Sequence, residues 1–171
     1  MTADNDAVEI CRSVMAAVPA GVAVMTLQDP EGVRRGMTIS SLTIVSYEPP
    51  SVLMCIGGAA SSRPALVPGQ TFCANVLAPD QTAQSVGFAW AEADPFAVFE
   101  WSPAPDGTPV LEGTTAHLLC TVENVVEHHG TYVVMAGVDG GSLDREDALV
   151  YWKQAYFGEM TPVAPDIKGR W

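Results

Sequence analysis

Residues 114–138 read TTAHLLCTVENVVEHHGTYVVMAGV. Two runs of β-forming residues, 114–127 and 131–138, are separated by His128-His129-Gly130. Such a pattern predicts a hairpin joining the longest pair of strands in the chain. The first run is 14 residues long. Strands of that length rarely lie in flat sheets, because twist accumulates along them, and a coiled strand bending round a barrel is expected instead.

The flanking segments agree with a mainly β chain. Val8, Cys11, Val14, Met15 and Val18 recur at helical spacing after Asp4, Asn5 and Asp6, which offer N-cap oxygens. Pro19-Ala20-Gly21 should end that N-terminal helix. Strands follow at residues 22–27 and 35–40 around the turn Asp29-Pro30-Glu31-Gly32, then at 43–46, 52–56 and 71–77, with a break at Pro49-Pro50. Pro79-Asp80 opens a helix to about Ala91, after the fifth strand. Residues 92–110 read as an extended connection clamped by Phe96, Phe99 and Trp101, 149–156 as a last strand or strand-helix edge, and the tail from Thr161 as loop. Six or seven strands with two helices do not suit an alternating parallel sheet. A closed or partly closed antiparallel barrel of Greek-key type is expected.

Residues 36–56, GMTISSLTIVSYEPPSVLMCI, place the hydroxyls of Thr38, Ser40, Ser41, Thr43 and Ser46 beside two runs that read as buried strands. Side chains alternate across a strand, so part of the set should face inward or line a groove, where each hydroxyl needs a partner. A polyhydroxylated or phosphorylated ligand supplies such partners. The bland alternative is a set of ordinary strand-surface hydroxyls.

The 171 residues, 48% hydrophobic, suffice for one well-buried core and are short for two domains. One domain over 1–171 is expected, with its core at about 10–156 and a tail at 157–171. Eight basic residues against 20 acidic ones give a net charge of −12. That balance argues against a nucleic-acid partner, which needs clustered Lys and Arg, and against an anionic membrane surface. Arg34-Arg35 and Arg63 are the candidates for a locally positive pocket. No segment has the roughly 18 uninterrupted apolar residues of a membrane span. The acidic start MTADNDAVEI lacks the features of a signal peptide, so a cytoplasmic protein is expected. Cys11, Cys55, Cys73 and Cys120 form no CxxC pair and have no histidine at zinc spacing, which predicts reduced, structural thiols and no metal site. No GxSxG elbow supports nucleophilic hydrolysis.

Taken in order, several of these segments resemble the flavin reductase-like proteins. The match runs through Val18-Pro19-Ala20-Gly21-Val22-Ala23-Val24, residues 36–46, Pro49-Pro50, residues 52–56, Phe72-Cys73-Ala74-Asn75-Val76-Leu77 with Gln81 and Phe88-Ala89, Pro109-Val110-Leu111-Glu112-Gly113, Cys120, and Leu149-Val150-Tyr151 with Tyr156. The resemblance implies an FMN-binding split β-barrel that takes hydride from NADH or NADPH and reduces FMN, with FAD as the alternative. It implies supply of reduced flavin to a partner monooxygenase, and a homodimer with flavin near the subunit interface. It also implies that Met37, Thr38, Ser40, Ser41 and Leu42 lie along the flavin, that Ser61, Ser62 and Arg63 meet its phosphate, and that Asn75, Val76 and Leu77 lie against it.

The hairpin departs from the family pattern. Where the family carries a Gly-Asp-His-Thr-like motif, this chain has Glu127-His128-His129-Gly130-Thr131-Tyr132. Aligning Val138 with the valine that ends the family strand puts Thr131 at the histidine position, and a two-residue shift would restore His129, the catalytic candidate. Two other readings stay open. One is a specialised flavoenzyme with tightly held flavin and another substrate; the other is a non-catalytic flavin- or haem-binding protein.

Overall fold

The computed structural model describes residues 3–90 and 94–159. Helix α1 (Ala3–Ala16) forms where its apolar spacing predicts. That apolar face is not covered, however: Val14 and Met15 are 57% and 60% exposed. Hydrogen bonds from Lys153 N to Ala16 O and from Trp152 Nε1 to Ala17 O, 3.2 and 2.9 Å, tie its C-terminal end to the body.

Strand β1 (Ala20–Gly21) precedes β2 (Ala23–Gln28), whose first five residues are all buried because both faces of the strand are covered. The turn at residues 29–32 closes a hairpin onto β3 (Arg34–Ile39). Asp29 fixes it, accepting from Val33 N at 2.8 Å and from Arg35 Nε at 2.7 Å. Strands β4 (Thr43–Tyr47) and β5 (Pro50–Gly57) pair from Tyr47 opposite Pro50, so the expected break at Pro49-Pro50 is a tight turn instead. Pro50 is tolerated because it is the first residue of its strand, where no ladder donor is lost.

Strand β6 (Thr71–Val76) leads to helix α2 (Thr82–Ala89). Gln81 stands at the helix start as expected, accepting from Ala78 N and donating to Glu112 O. The expected helix end at Ala91 lies outside the described residues, as does the tail from Thr161. The connection that follows is more regular than its composition suggests, since β7 (Trp101–Pro103) and β8 (Pro109–Leu111) pair as a two-stranded ribbon. Phe96 packs edge-on against Phe88 at 5.2 Å and Trp101 edge-on against Phe96 at 6.1 Å, which is the expected clamp.

Strands β9 (Ala116–His128) and β10 (Thr131–Leu143) are 13 residues each. β10 continues five residues beyond the expected end at Val138, with irregularities at Met135/Ala136 and Val138/Gly140 that let the long pair bend. The expected last strand is a hairpin, β11 (Val150–Trp152) and β12 (Ala155–Phe157), turning at Lys153 and Gln154 with φ of 49° and 63°. It joins β1 in a three-stranded sheet.

The main sheet is antiparallel in the order β3-β2-β6-β9-β10-β5-β4. The fold is therefore mainly β and barrel-like, but its backbone ladder is not closed. A side chain draws the end of β3 towards β5: Ser41 Oγ accepts from Cys55 N at 2.9 Å and donates to Cys55 O at 3.2 Å. One core lies inside the sheet, around Met25, Leu27, Met54, Ile56, Phe72 and Val122. A second lies between the sheet and α2, around Val22, Val24, Leu77, Phe88, Phe96 and Leu149. All four cysteines are free, but only Cys73 and Cys120 are buried; Cys11 and Cys55 are exposed, which corrects the expectation that all four are structural. Burial, aided by the nearby Asp139 charge, pushes the Cys120 thiol up to about 12.

Candidate functional site

Alternation along β3 sends Met37 and Ile39 to the core and leaves Thr38 facing α2. Gly36 permits this packing, because a Cβ there would stand 2.6 Å from the Phe88 ring. The close approach places Ser85 against the strand, where its carbonyl accepts from Thr38 Oγ1 at 2.6 Å and its Oγ lies 2.9 Å from Tyr156 Oη. Together these groups form a cleft of about 210 Å³, lined by Thr38, Ser40, Ser85, Ala89, Trp90, Tyr151 and Tyr156 among others. Trp90 and Tyr151 are exposed at 75% and 40%, so flat apolar faces stand beside the hydroxyls.

A second polar group sits beyond β5. The segment at residues 57–62 is built of Gly, Ala and Ser. Gly58 N donates to Gly130 O at 2.9 Å, and a Cβ on Gly58 would stand 2.8 Å from that oxygen, so only glycine lets the loop reach the hairpin tip. This contact brings Arg63 over the Tyr132 ring, 3.7 Å from guanidinium carbon to ring centroid. Among the described residues the Arg63 side chain has no ion pair and no hydrogen bond, and its Nε is buried. A buried donor without a partner is costly, and an anion at the loop would satisfy it. Ser61 is exposed beside it, with its carbonyl 3.4 Å from Arg35 Nη1.

Several expected ligand groups are already engaged. Asn75 is fully buried, its amide donating to Val24 O and Thr26 Oγ1 at 2.9 Å each and accepting from Leu111 N at 2.8 Å. Where a ligand contact was expected of this amide, it joins three strands within the fold. The Leu77 side chain is fully buried in the second core, and Val76 lies half-buried between its partners on β2 and β9. Ser62 is buried and donates to Met37 Sδ at 3.1 Å, while Ser41 bonds the Cys55 backbone. Met37 and Leu42 pack partly against the first core. Thr38, Ser40, Ser61 and Arg63 keep a face towards a cleft or solvent.

His129 occupies a two-residue turn with Gly130, at φ of 50° and 77°. It is exposed, its ring 4.2 Å from that of His128. Thr131 pairs with Gly57, and the ladder from there to Gly137 has no irregularity against β5. The chain therefore brings His129 to the hairpin tip beside the 57–63 loop and not to the cleft of Thr38 and Ser40.

Sequence reasoning missed Ser85, Trp90 and Tyr132 as site residues. Tyr151 and Tyr156 had a signal, because a two-residue turn at Lys153-Gln154 makes them direct cross-strand partners. The contact of Arg63 with Tyr132, 69 positions apart, had none.

An open barrel with a hydroxyl-lined cleft and an unpaired arginine at a small-residue loop is a binding protein for an elongated polar ligand with an anionic group. The chain belongs to the family of flavin reductase like domains, which matches residues 15–159. It is 39% identical over 162 residues to an actinorhodin polyketide dimerase of Streptomyces coelicolor, covering 93% of this chain and 92% of that protein. Over 155 residues it is 33% identical to the reductase subunit of a flavin-dependent monooxygenase from Rhodococcus jostii, covering 91% and 77%. The solved structure of an NADH:FAD oxidoreductase of Streptomyces globisporus, in complex with NAD and FAD fragments, superposes with a TM-score of 0.81 at 29% identity, covering 98% of both chains.

Proposed function

We propose that this protein is an NAD(P)H:flavin oxidoreductase that reduces FMN or FAD and passes reduced flavin to a partner monooxygenase. The observation that carries the reading is Arg63, a cation with an unsatisfied buried Nε beside a loop of small residues, on a chain of net charge −12. Arg63 and Ser61 would hold a flavin phosphate, and Thr38 and Ser40 the polar edge of the ring or its ribityl chain. When bound, the flavin supplies the hydride acceptance and release that no side chain can.

The chain's own residues do the rest. Ser85 orients the Thr38 hydroxyl through its carbonyl. Trp90 and Tyr151 offer flat faces that narrow the cleft and keep water from it. Hydride transfer depends on stacking more than on a general acid, so the turn position of His129 is compatible with turnover. We assign His129 to the site of a second copy, reached across a homodimer interface. Exposed Ile44, Val45 and Tyr47 on the edge strand β4, together with the apolar face of α1, support such a dimer.

The test is NADH or NADPH oxidation followed at the nicotinamide band, with and without added FMN or FAD. Saturable consumption that depends on added flavin is expected. A purified yellow protein inert to both nicotinamides, or one with a haem absorbance band, would end this reading.

A further inference from the structure

Three arginines are half-buried among the described residues, Arg35, Arg63 and Arg145, and Arg63 is held unlike the other two. Arg35 pairs with Asp29 at 2.7 Å, and Arg145 with Asp80 and Asp147 at 2.9 and 3.1 Å. A carboxylate neutralises a guanidinium and occupies its planar fork of donors. Arg63 rests instead on the Tyr132 ring, 3.7 Å from guanidinium carbon to centroid. At that distance the two groups meet face to face, since an N–H aimed at the ring would hold the carbon farther off. Such a contact keeps the positive charge and leaves the N–H groups, which point outward in the guanidinium plane, for an acceptor arriving from the side. Arg34 also lies over a ring, that of Trp101 at 4.5 Å, but it is exposed and water meets its donors.

Both partners of the stack are anchored. Tyr132 stands inside the ladder, opposite Ile56 on β5 and Glu127 on β9. One edge of its ring lies against Gly58, where an added Cβ would come within 3.3 Å of it. The Arg63 backbone donates to Ala60 O and accepts from Leu66 N at 3.0 Å each, at the start of the helical turn Arg63–Ala65. A long side chain fixed at its root and stacked at its head has little rotamer freedom left to lose on binding.

We infer that Tyr132 is a positioning residue: its ring holds the Arg63 guanidinium edge-on to the flavin phosphate and so sets the preference for FMN over riboflavin, which lacks that phosphate. The inference rests on the flavin reading above. The ring acts through Arg63, and its hydroxyl is not required.

Titration followed by flavin fluorescence reads this without turnover. The wild-type protein should bind FMN about tenfold or more tightly than riboflavin. Tyr132→Leu should weaken FMN about fivefold, the scale of a partly desolvated cation–π contact, and leave riboflavin within about twofold. Tyr132→Phe, which keeps the ring face, should restore FMN. In an Arg63→Ala background Tyr132→Leu should weaken FMN no further, since the two residues act as one unit. Equal losses for FMN and riboflavin in Tyr132→Leu, or additive losses in the double variant, overturn the inference. Should Tyr132→Leu not fold, Tyr132→Met takes its place; failure of both to fold also overturns it, because a ring acting only through Arg63 is dispensable to the fold. Any of these results alongside tight FMN binding by the wild type leaves the flavin reading standing, whereas a wild-type protein that binds neither flavin ends both.

Discussion

The Asn75 amide and the Arg63 Nε are both shielded from water, and they differ in what answers them. Every strong hydrogen-bonding position of Asn75 is met by the chain itself, on β2, β8 and the side chain of Thr26. Arg63 has an aromatic face beneath it and, among the described residues, no acceptor for its buried Nε. A polar group whose partners are all internal belongs to the fold, while one left wanting belongs to a ligand. Residue type alone does not separate the two.

Three measurements bear on that contrast. The largest effect is expected for Asn75→Ala, which strands Leu111 N and opens a cavity; urea unfolding should show a loss of about 3 kcal/mol or more. Were stability to hold while flavin affinity collapsed, Asn75 would be a ligand group after all. Arg63→Ala should do the opposite, weakening flavin binding by about 1.5–3 kcal/mol while moving the thermal midpoint little. Arg63→Lys should recover only part of that loss, since an ammonium cannot reproduce the planar fork. The smallest effect is expected at Asp29, a polar group wholly committed within its own hairpin. Burial raises its carboxyl, but the Val33 amide and the Arg35 guanidinium outweigh that and hold it below its ordinary value of 3.8. A carboxyl depressed on folding stabilises fully above its unfolded value, and that contribution is lost as pH falls through the folded one. Acid unfolding should therefore steepen below about pH 3.8, and Asp29→Asn should flatten that limb.

Much of the fold was legible because local pattern and tertiary environment agree. The 114–138 hairpin, the 29–32 turn and α2 all stand near their expected places. Expectations failed where long-range pairing decides. Pro49-Pro50 reads as a breaker but turns a hairpin, because β4 and β5 pair across it. Residues 92–110 read as an extended connection, yet 101–103 and 109–111 pair as a ribbon under the Phe96–Trp101 clamp. The site was half legible. Strand alternation identifies Thr38 and Ser40 as groove hydroxyls, but nothing local distinguishes Ser41, whose hydroxyl bonds a neighbouring strand's backbone, from Ser40, which lines the cleft. The same holds for Asn75, since an amide beside a buried strand reads as a ligand group until the cross-strand partners are known.

The strand order also sets the timing of assembly. The β4–β5 hairpin is complete once residue 57 has been made, yet its sheet partner is β10, which begins at Thr131. Likewise β2 and β3 reach the rest of the sheet only through β6 and then β9. A nascent chain therefore carries two early hairpins with uncovered apolar faces until its last long hairpin is synthesised and closes between them. Such non-local pairing makes folding slow and leaves the half-made chain prone to aggregation. The long β9–β10 pair is the clasp on which the earlier strands of the main sheet wait.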